Sequence, residues 1–157
     1  MEKPGSSMQL TRAADYAVRV MIHLATRAED ERTLLPALAK ATGAPSSFLS
    51  KVLQALSRAG LIASWRGQLG GFAILQRGRE ASIRGVIEAI DGPIQLNVCL
   101  RHGPSCSRKC WCPAHLVWVK AQTAMVEVLN AATIADLAQE ATSPMQSETV
   151  PLTTLGD

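Results

Sequence analysis

The residues best suited to chemistry are gathered in one stretch, NVCLRHGPSCSRKCWCPAH, from Asn97 to His115. It holds all four cysteines of the 157-residue chain, Cys99, Cys106, Cys110 and Cys112, and two of its three histidines, His102 and His115. Glycine, proline and arginine surround them, so an ordinary helix or strand is excluded. The segment reads as a loop that becomes ordered around something held by sulfur. Thiolates serve either as ligands for soft metals and iron–sulfur clusters or as redox nucleophiles. Structural zinc favours cysteines two to four residues apart, and only Cys106 and Cys110 are so spaced. The Cys110-Trp111-Cys112 triplet is too tight for both sulfurs to chelate one metal easily. Cys110 therefore reads as a spectator or redox-vulnerable thiol, and His102 as a solvated loop residue. A dithiol enzyme would carry C-x-x-C on a βαβ pattern, which is absent.

The rest of the chain must position this loop. A hydrophobic fraction of 47% is ample for a core, and 157 residues suit one domain with an added helix. The net charge of +3 is uneven: residues 1–85 carry twelve Lys/Arg against six Asp/Glu, and residues 86–157 four against seven. A basic first half and an acidic second half point to an anionic partner for the first half, nucleic acid being the commonest. MEKPGSS at the start has no apolar run behind it and does not read as a signal peptide. No stretch approaches the roughly 18 apolar residues of a membrane span. The expected location is the cytoplasm, where thiols stay reduced and clustered cysteines are metal ligands or sensors more often than disulfides.

Residues 1–9 read as a flexible extension. A first helix follows Thr11, a favourable N-cap, with Ala14, Val18, Met21, Ile22 and Ala25 as its apolar stripe, Asp15 in its first turn and a structural His23. Arg27 to Thr33 form a charged loop. Pro36 suits the first turn of a second helix, and Gly43 ends it as a left-handed C-cap. Pro45 and Ser46 open a third helix that buries Leu49, Val52, Leu53 and Leu56. Two short helices about a glycine turn describe a helix-turn-helix, whose second helix presents its first residues to the major groove. Those are Ser46, Ser47, Ser50 and Lys51, with Gln54 and Arg58 further along. LIASWRGQLGGFAIL then reads as a hairpin, Leu61–Trp65 and Phe72–Leu75, with Arg66 and Gln68 on a glycine-rich tip. A helix-turn-helix followed by a hairpin is a winged helix, and the wing can lay Arg66 on phosphate or in the minor groove. Six Lys/Arg against one acid over residues 45–84 agree with that reading.

Ser82 caps a short helix that Asp91-Gly92-Pro93 breaks. Pro113 opens the longest helix, 113–131, with Val117, Ala121, Ala124 and Val128 in one stripe widened by Leu116, Val119 and Val126. So much apolar surface exceeds what a small winged helix covers, and homodimerisation along this helix is the expected solution. Thr133 caps a last short helix, Ile134–Ala141. The fold class is thus mainly α with a small β wing: a winged helix-turn-helix domain over 10–95, a cysteine-rich loop over 96–113, a dimerisation helix with a short C-terminal helix over 114–141, and a disordered tail over 142–157.

Taken in order, MQLTRAADYAVRVMIHLA, SSFLSKVLQALSRAGLIASWRGQLGGF, IRGVIEAIDGPI, the cysteine loop and the long helix resemble the bacterial winged-helix regulators of the IscR and NsrR type, over residues 8–140. In such proteins the first residue usually falls where Met8 stands here, so 1–7 look like an extension. The resemblance implies a dimeric transcription factor, often a repressor, that binds double-stranded operator DNA. It also implies an iron–sulfur cluster that senses nitric oxide, redox state or iron and cluster supply. The three cluster cysteines of the family map onto Cys99, Cys106 and Cys112. Here their spacing is C-x6-C-x5-C, one residue longer in the first gap than is usual for IscR-like proteins, with Cys110 as an extra thiol. His115 stands where IscR-like proteins supply a histidine ligand, which would suit a 2Fe–2S cluster. Asp15 stands where NsrR-like proteins supply an aspartate from the partner subunit, which would suit 4Fe–4S. Both are present, so the fourth ligand stays open. The alternatives are a cluster-free winged-helix regulator with structural zinc or thiol-based sensing, a small redox enzyme using Cys110 and Cys112, and a zinc-stabilised adaptor for protein. The chain is not expected to be an enzyme.

Overall fold

The computed structural model describes residues 10–100, 106–108 and 110–143. The extension at 1–9, His102 and the tail beyond Ser143 lie outside the described residues. The order of elements is α1 (Arg12–Ala25), α2 (Leu35–Thr42), α3 (Ser46–Arg58), β1 (Ile62–Trp65), β2 (Gly71–Ile74), α4 (Gln76–Arg79), α5 (Ile83–Asp91), a 3₁₀ turn (Val98–Leu100), α6 (His115–Ala131) and α7 (Ile134–Thr142). This is a mainly helical chain with a two-stranded antiparallel wing, as expected.

The core forms around α1. Ala14, Ala17, Val20, Met21, Leu24 and Ala25 are buried on it, while Val18 and Ile22 sit at the margin. The buried stripe is thus rotated slightly from the one read in the sequence. It meets Leu38 of α2, Leu49, Val52, Leu53 and Leu56 of α3, Val86 of α5, and Ile134 and Ala138 of α7. Each fully buried leucine contributes about 1.5–3 kcal/mol. Helix α7 therefore packs back onto α1 after α6 has left the core.

Local chemistry fixes the ends. Thr11 caps α1 by accepting from Ala14 N–H at 3.1 Å, and its hydroxyl reaches the Asp91 carboxylate at the far end of α5 at 2.8 Å. Ser82 and Thr133 cap α5 and α7 in the same way. These two caps lie side by side, with Ile83 N–H donating to Ala132 O and Ile134 N–H to Ala81 O. Gly43 ends α2 at φ 70°, the left-handed geometry on which the turn into α3 depends. Pro45 is the N-cap residue of α3, and Ser46 its first turn.

The hairpin pairs Ile62 with Ile74 and Trp65 with Gly71. The charged loop adds a rung that the sequence did not announce: Thr33 exchanges two 2.9 Å backbone hydrogen bonds with Phe72. Behind the wing, the short α4 carries Gly78, where a Cβ would run into the Leu61 carbonyl and stand 3.0 Å from Met21 Cε. Arg79 beside it donates to the carbonyls of Ala25 (2.8 Å) and Arg27 (2.9 Å), closing the C-terminal end of α1. That arginine is structural, although it counts towards the basic character of the region.

Helix α6 begins two residues later than Pro113 implied and contains no buried residue. Gln122, Met125, Val126 and Leu129 face inward and are half-buried. Leu116, Val117 and Val128 are 60% or more exposed.

Candidate DNA interface and cysteine site

The buried face of α3 fixes its opposite face outward. Ser46, Ser47, Lys51, Gln54 and Arg58 are exposed, and Ser50 is half-buried. The Ser50 hydroxyl donates to Ser46 O at 3.0 Å, leaving its lone pairs as acceptors. Phe48, also exposed, packs edge-on against Tyr16 at 5.7 Å, and the Arg19 guanidinium lies 5.8 Å from the Tyr16 ring centre. These rings tie the start of α3 to α1, so the helix that would read DNA is braced at its reading end.

The wing is braced as well. The Arg32 guanidinium stacks 4.2 Å from the centre of the Trp65 ring, and its Nη1 donates to Leu69 O at 2.9 Å. Gly70 N–H donates to Gly67 O, closing the tip. Arg66, Gln68 and Leu69 are all exposed on that tip. Between α3 and the wing runs a groove of about 410 Å³, with Ser50, Gln54, Ser57 and Arg58 on one wall and Ser64 and Phe72 on the other. Ser57 and Ser64 were missed in the sequence, because only the fold brings these two hydroxyls to one groove. Among the described residues no carboxylate pairs with Lys51, Arg58 or Arg66. Their charges are therefore free for an anionic partner.

The cysteine site lies at the base of α6. Cys99 is buried in the 3₁₀ turn, which packs on α6. Cys112 is half-buried; its N–H donates to Arg108 O at 2.9 Å and its carbonyl accepts from His115 N–H at 3.1 Å, so it forms the entry to α6. Cys106 and Cys110 are exposed, and all four thiols are free. Among the described residues no three His, Cys, Asp or Glu side chains are gathered into a metal-holding group. The structure thus brings Cys112 and His115 into one turn and sets Cys99 against the same helix, but it does not gather the proposed ligand set.

His115 nevertheless stands out. Its Nδ1 is a buried side-chain nitrogen without a hydrogen-bond partner among the described residues, an arrangement that costs free energy unless something occupies the lone pair or proton. The free Cys112 thiol one turn from this nitrogen has the donor chemistry that a thiolate-bound iron–sulfur group with a nitrogen ligand would need. Asp15 is differently placed. It lies on α1, half-exposed, in a 2.8 Å ion pair with Arg19.

The segment leading to Cys99 is gripped from both sides, a feature with no obvious signature in the sequence. Gln122 of α6 donates through Nε2 to Ile94 O at 2.9 Å and accepts from Leu96 N–H at 2.8 Å. Glu88 of α5 accepts from Ile94 N–H at 3.3 Å and from Arg84 at 3.2 Å. One short strand of backbone thereby links the long helix, the winged domain and the cysteine loop.

The described residues contain no helix long and apolar enough to cross a membrane. Comparison with known proteins gives a consistent picture. The regulator NsrR of Geobacillus kaustophilus is 32% identical over 137 residues, spanning 87% of this chain and 93% of that protein. The regulator IscR of Photobacterium profundum is 28% identical over 134 residues, 85% of this chain and 77% of that one. The structure of CymR, the global cysteine regulator of B. subtilis, superposes with a TM-score of 0.68 at 25% identity, covering 85% of this chain and 98% of that one. The match of residues 10–140 to the family model described as an iron-dependent transcriptional regulator agrees with the winged helix, the free basic face and the cysteine-bearing loop: the chain belongs to the Rrf2 family of transcriptional regulators.

Proposed function

We propose that this DNA-binding regulator acts as a homodimeric repressor whose operator affinity is set by an iron–sulfur cluster held by Cys99, Cys106, Cys112 and His115. The observation that carries the cluster assignment is the orphaned Nδ1 of His115, one turn from Cys112. The cluster would supply a redox- and nitric-oxide-sensitive centre whose thiolate ligands can be gained or lost. The chain's own residues then do the rest. Cys99 and Cys112 anchor the two ends of the loop against α6, and the Gln122 and Glu88 contacts carry any movement of Cys99 to α5 and the winged domain. On the DNA side, Ser46, Ser47, Ser50, Lys51, Gln54 and Arg58 meet the major groove and its phosphates. Arg66 and Gln68 meet the backbone or minor groove from the wing. Ser57 and Ser64 in the groove between them donate to the intervening phosphates.

The test is the visible spectrum and native mass of protein purified without oxygen. The expected result is a brown dimer with iron and sulfide, whose absorbance is lost in Cys99→Ala and Cys112→Ala while the dimer stays folded. Unchanged spectra in both variants would remove the ligand assignment. A second reading, a cluster-free regulator with structural zinc or thiol-based sensing, draws on the exposure of Cys106 and Cys110 and on the likeness to CymR. A colourless dimer that gains no colour on reconstitution would favour it. An aspartate-ligated cluster, with Asp15 given by the partner subunit, draws on the half-exposed Asp15 and the NsrR relative.

A further inference from the structure

The wing tip carries one side chain that charge does not explain. Leu69 is 86% exposed, more than any other large apolar side chain among the described residues. It stands between polar and glycine neighbours, in Arg66-Gly67-Gln68-Leu69-Gly70. Nothing in the core requires it. The backbone around it is nevertheless held firmly: its carbonyl accepts from Arg32 at 2.9 Å, Arg32 is stacked on Trp65, and Gly70 N–H closes the turn onto Gly67 O. A single exposed apolar side chain is ordinary on a protein surface; what sets Leu69 apart is its place, on a hydrogen-bonded turn at the wing tip three residues from Arg66. Apolar side chains on DNA-binding arms have a known use: they pack against sugars or wedge at base steps in the minor groove, beside an arginine that reads its negative potential.

We propose that Leu69 is the apolar minor-groove contact of the wing, set in place by Arg32, and that it contributes affinity and shape preference independently of charge. This rests on the DNA-binding reading above and adds to it a residue that the phosphate contacts do not supply. Arg66 provides the electrostatic part of the wing's binding; Leu69 provides a part that salt does not screen.

The experiment uses the full chain and a duplex selected by the wild-type protein from a random-sequence pool, with affinity measured by fluorescence anisotropy across a salt series. Leu69→Ala is expected to weaken binding about tenfold, the scale of a largely buried leucine side chain, with the slope of log affinity against log salt unchanged. Leu69→Met, apolar and of similar volume, keeps most of the affinity. Arg66→Ala weakens binding and lowers the slope by about one. Undiminished affinity in Leu69→Ala while Arg66→Ala loses both affinity and slope would overturn the Leu69 contact and leave the wing on the DNA. Undiminished affinity in both would overturn the contact and the wing's part in binding together. Failure of the wild type to select any duplex would overturn the DNA-binding reading itself. Position 69 is a solvent-exposed turn, so circular dichroism of both Leu69 variants should match the wild type.

Discussion

At the scale of single residues, the two candidate fourth ligands differ in what already occupies them. The Asp15 carboxylate has an arginine partner at 2.8 Å, whereas the buried His115 Nδ1 has none among the described residues. If His115 is the ligand, His115→Ala shifts or abolishes the visible spectrum of the anaerobic protein, and Asp15→Asn leaves it as it is. The reverse pattern would assign the site to aspartate. The thiols and their spacing are legible in the sequence by residue type, whereas His115 and Asp15 enter as ligand candidates only through the resemblance to IscR- and NsrR-type regulators. The orphaned nitrogen is not legible there, since it depends on how the first turn of α6 packs. A separate residue-scale effect comes from His23 on α1. Its pKa lies below the ordinary 6.5, first because burial disfavours the imidazolium and then because Arg27 is close, with Glu31 opposing. The folded state therefore binds this proton less readily than the unfolded chain. Above pH 6.5 both states are neutral at His23 and it is without effect; as pH falls through 6.5 the unfolded state gains its proton first and stability declines. Urea midpoints measured from pH 7.5 to 5.5 should show that decline partly removed in His23→Gln. An identical slope in the variant would take His23 out of the pH dependence.

At the scale of elements, caps and breakers told most of the story. Thr11, Pro36, Gly43, Ser82 and Thr133 each mark a helix boundary by local chemistry that needs no tertiary context. What tertiary contacts decide was not legible. The rung between Thr33 and Phe72, the turn of α4 and the grip of Gln122 on residues 94–96 arise from segments far apart in sequence. Pro113 pointed to a helix start two residues early, because the backbone through Cys112 turns to hydrogen-bond Arg108 O and only then enters α6. Gly78 shows how exacting these contacts are. An added methyl meets the Leu61 carbonyl, Ile74 and Met21 at once, and the rigid carbonyl cannot give way as a side-chain tip would. Gly78→Ala should destabilise the domain by about 1–3 kcal/mol, the usual range for overpacking, read as a lower urea midpoint. A variant as stable as the wild type would mean that the wing root yields more easily than its packing implies.

At the scale of the whole molecule, α6 is the element that a single chain leaves unfinished. Val117, Ala121, Ala124 and Val128 recur at spacings of four, three and four, which places them along one stripe, and none is buried. Small alanines between valines would let two such helices approach closely. If this stripe is the seam of a homodimer, Val117→Glu with Val128→Glu yields monomer in sedimentation equilibrium and weakens binding to a two-half-site duplex more than to a single half-site. A dimer that persists in that variant would move the interface elsewhere. Cys99 and Cys112 meet the base of the same helix and Glu88 holds the segment before Cys99, so under the proposed function a change at the cysteines would be passed both to the seam and to the winged domain. In the proposed function the state of this loop governs DNA affinity. The most direct test is to measure the affinity of the anaerobically purified dimer for its selected duplex before and after titration with nitric oxide, with Cys99→Ala as control. The two states of the wild type should differ by about tenfold or more, the scale of losing one or two base-pair contacts, and Cys99→Ala should no longer respond. Equal affinity in both states, in a protein that carries the cluster, would contradict it.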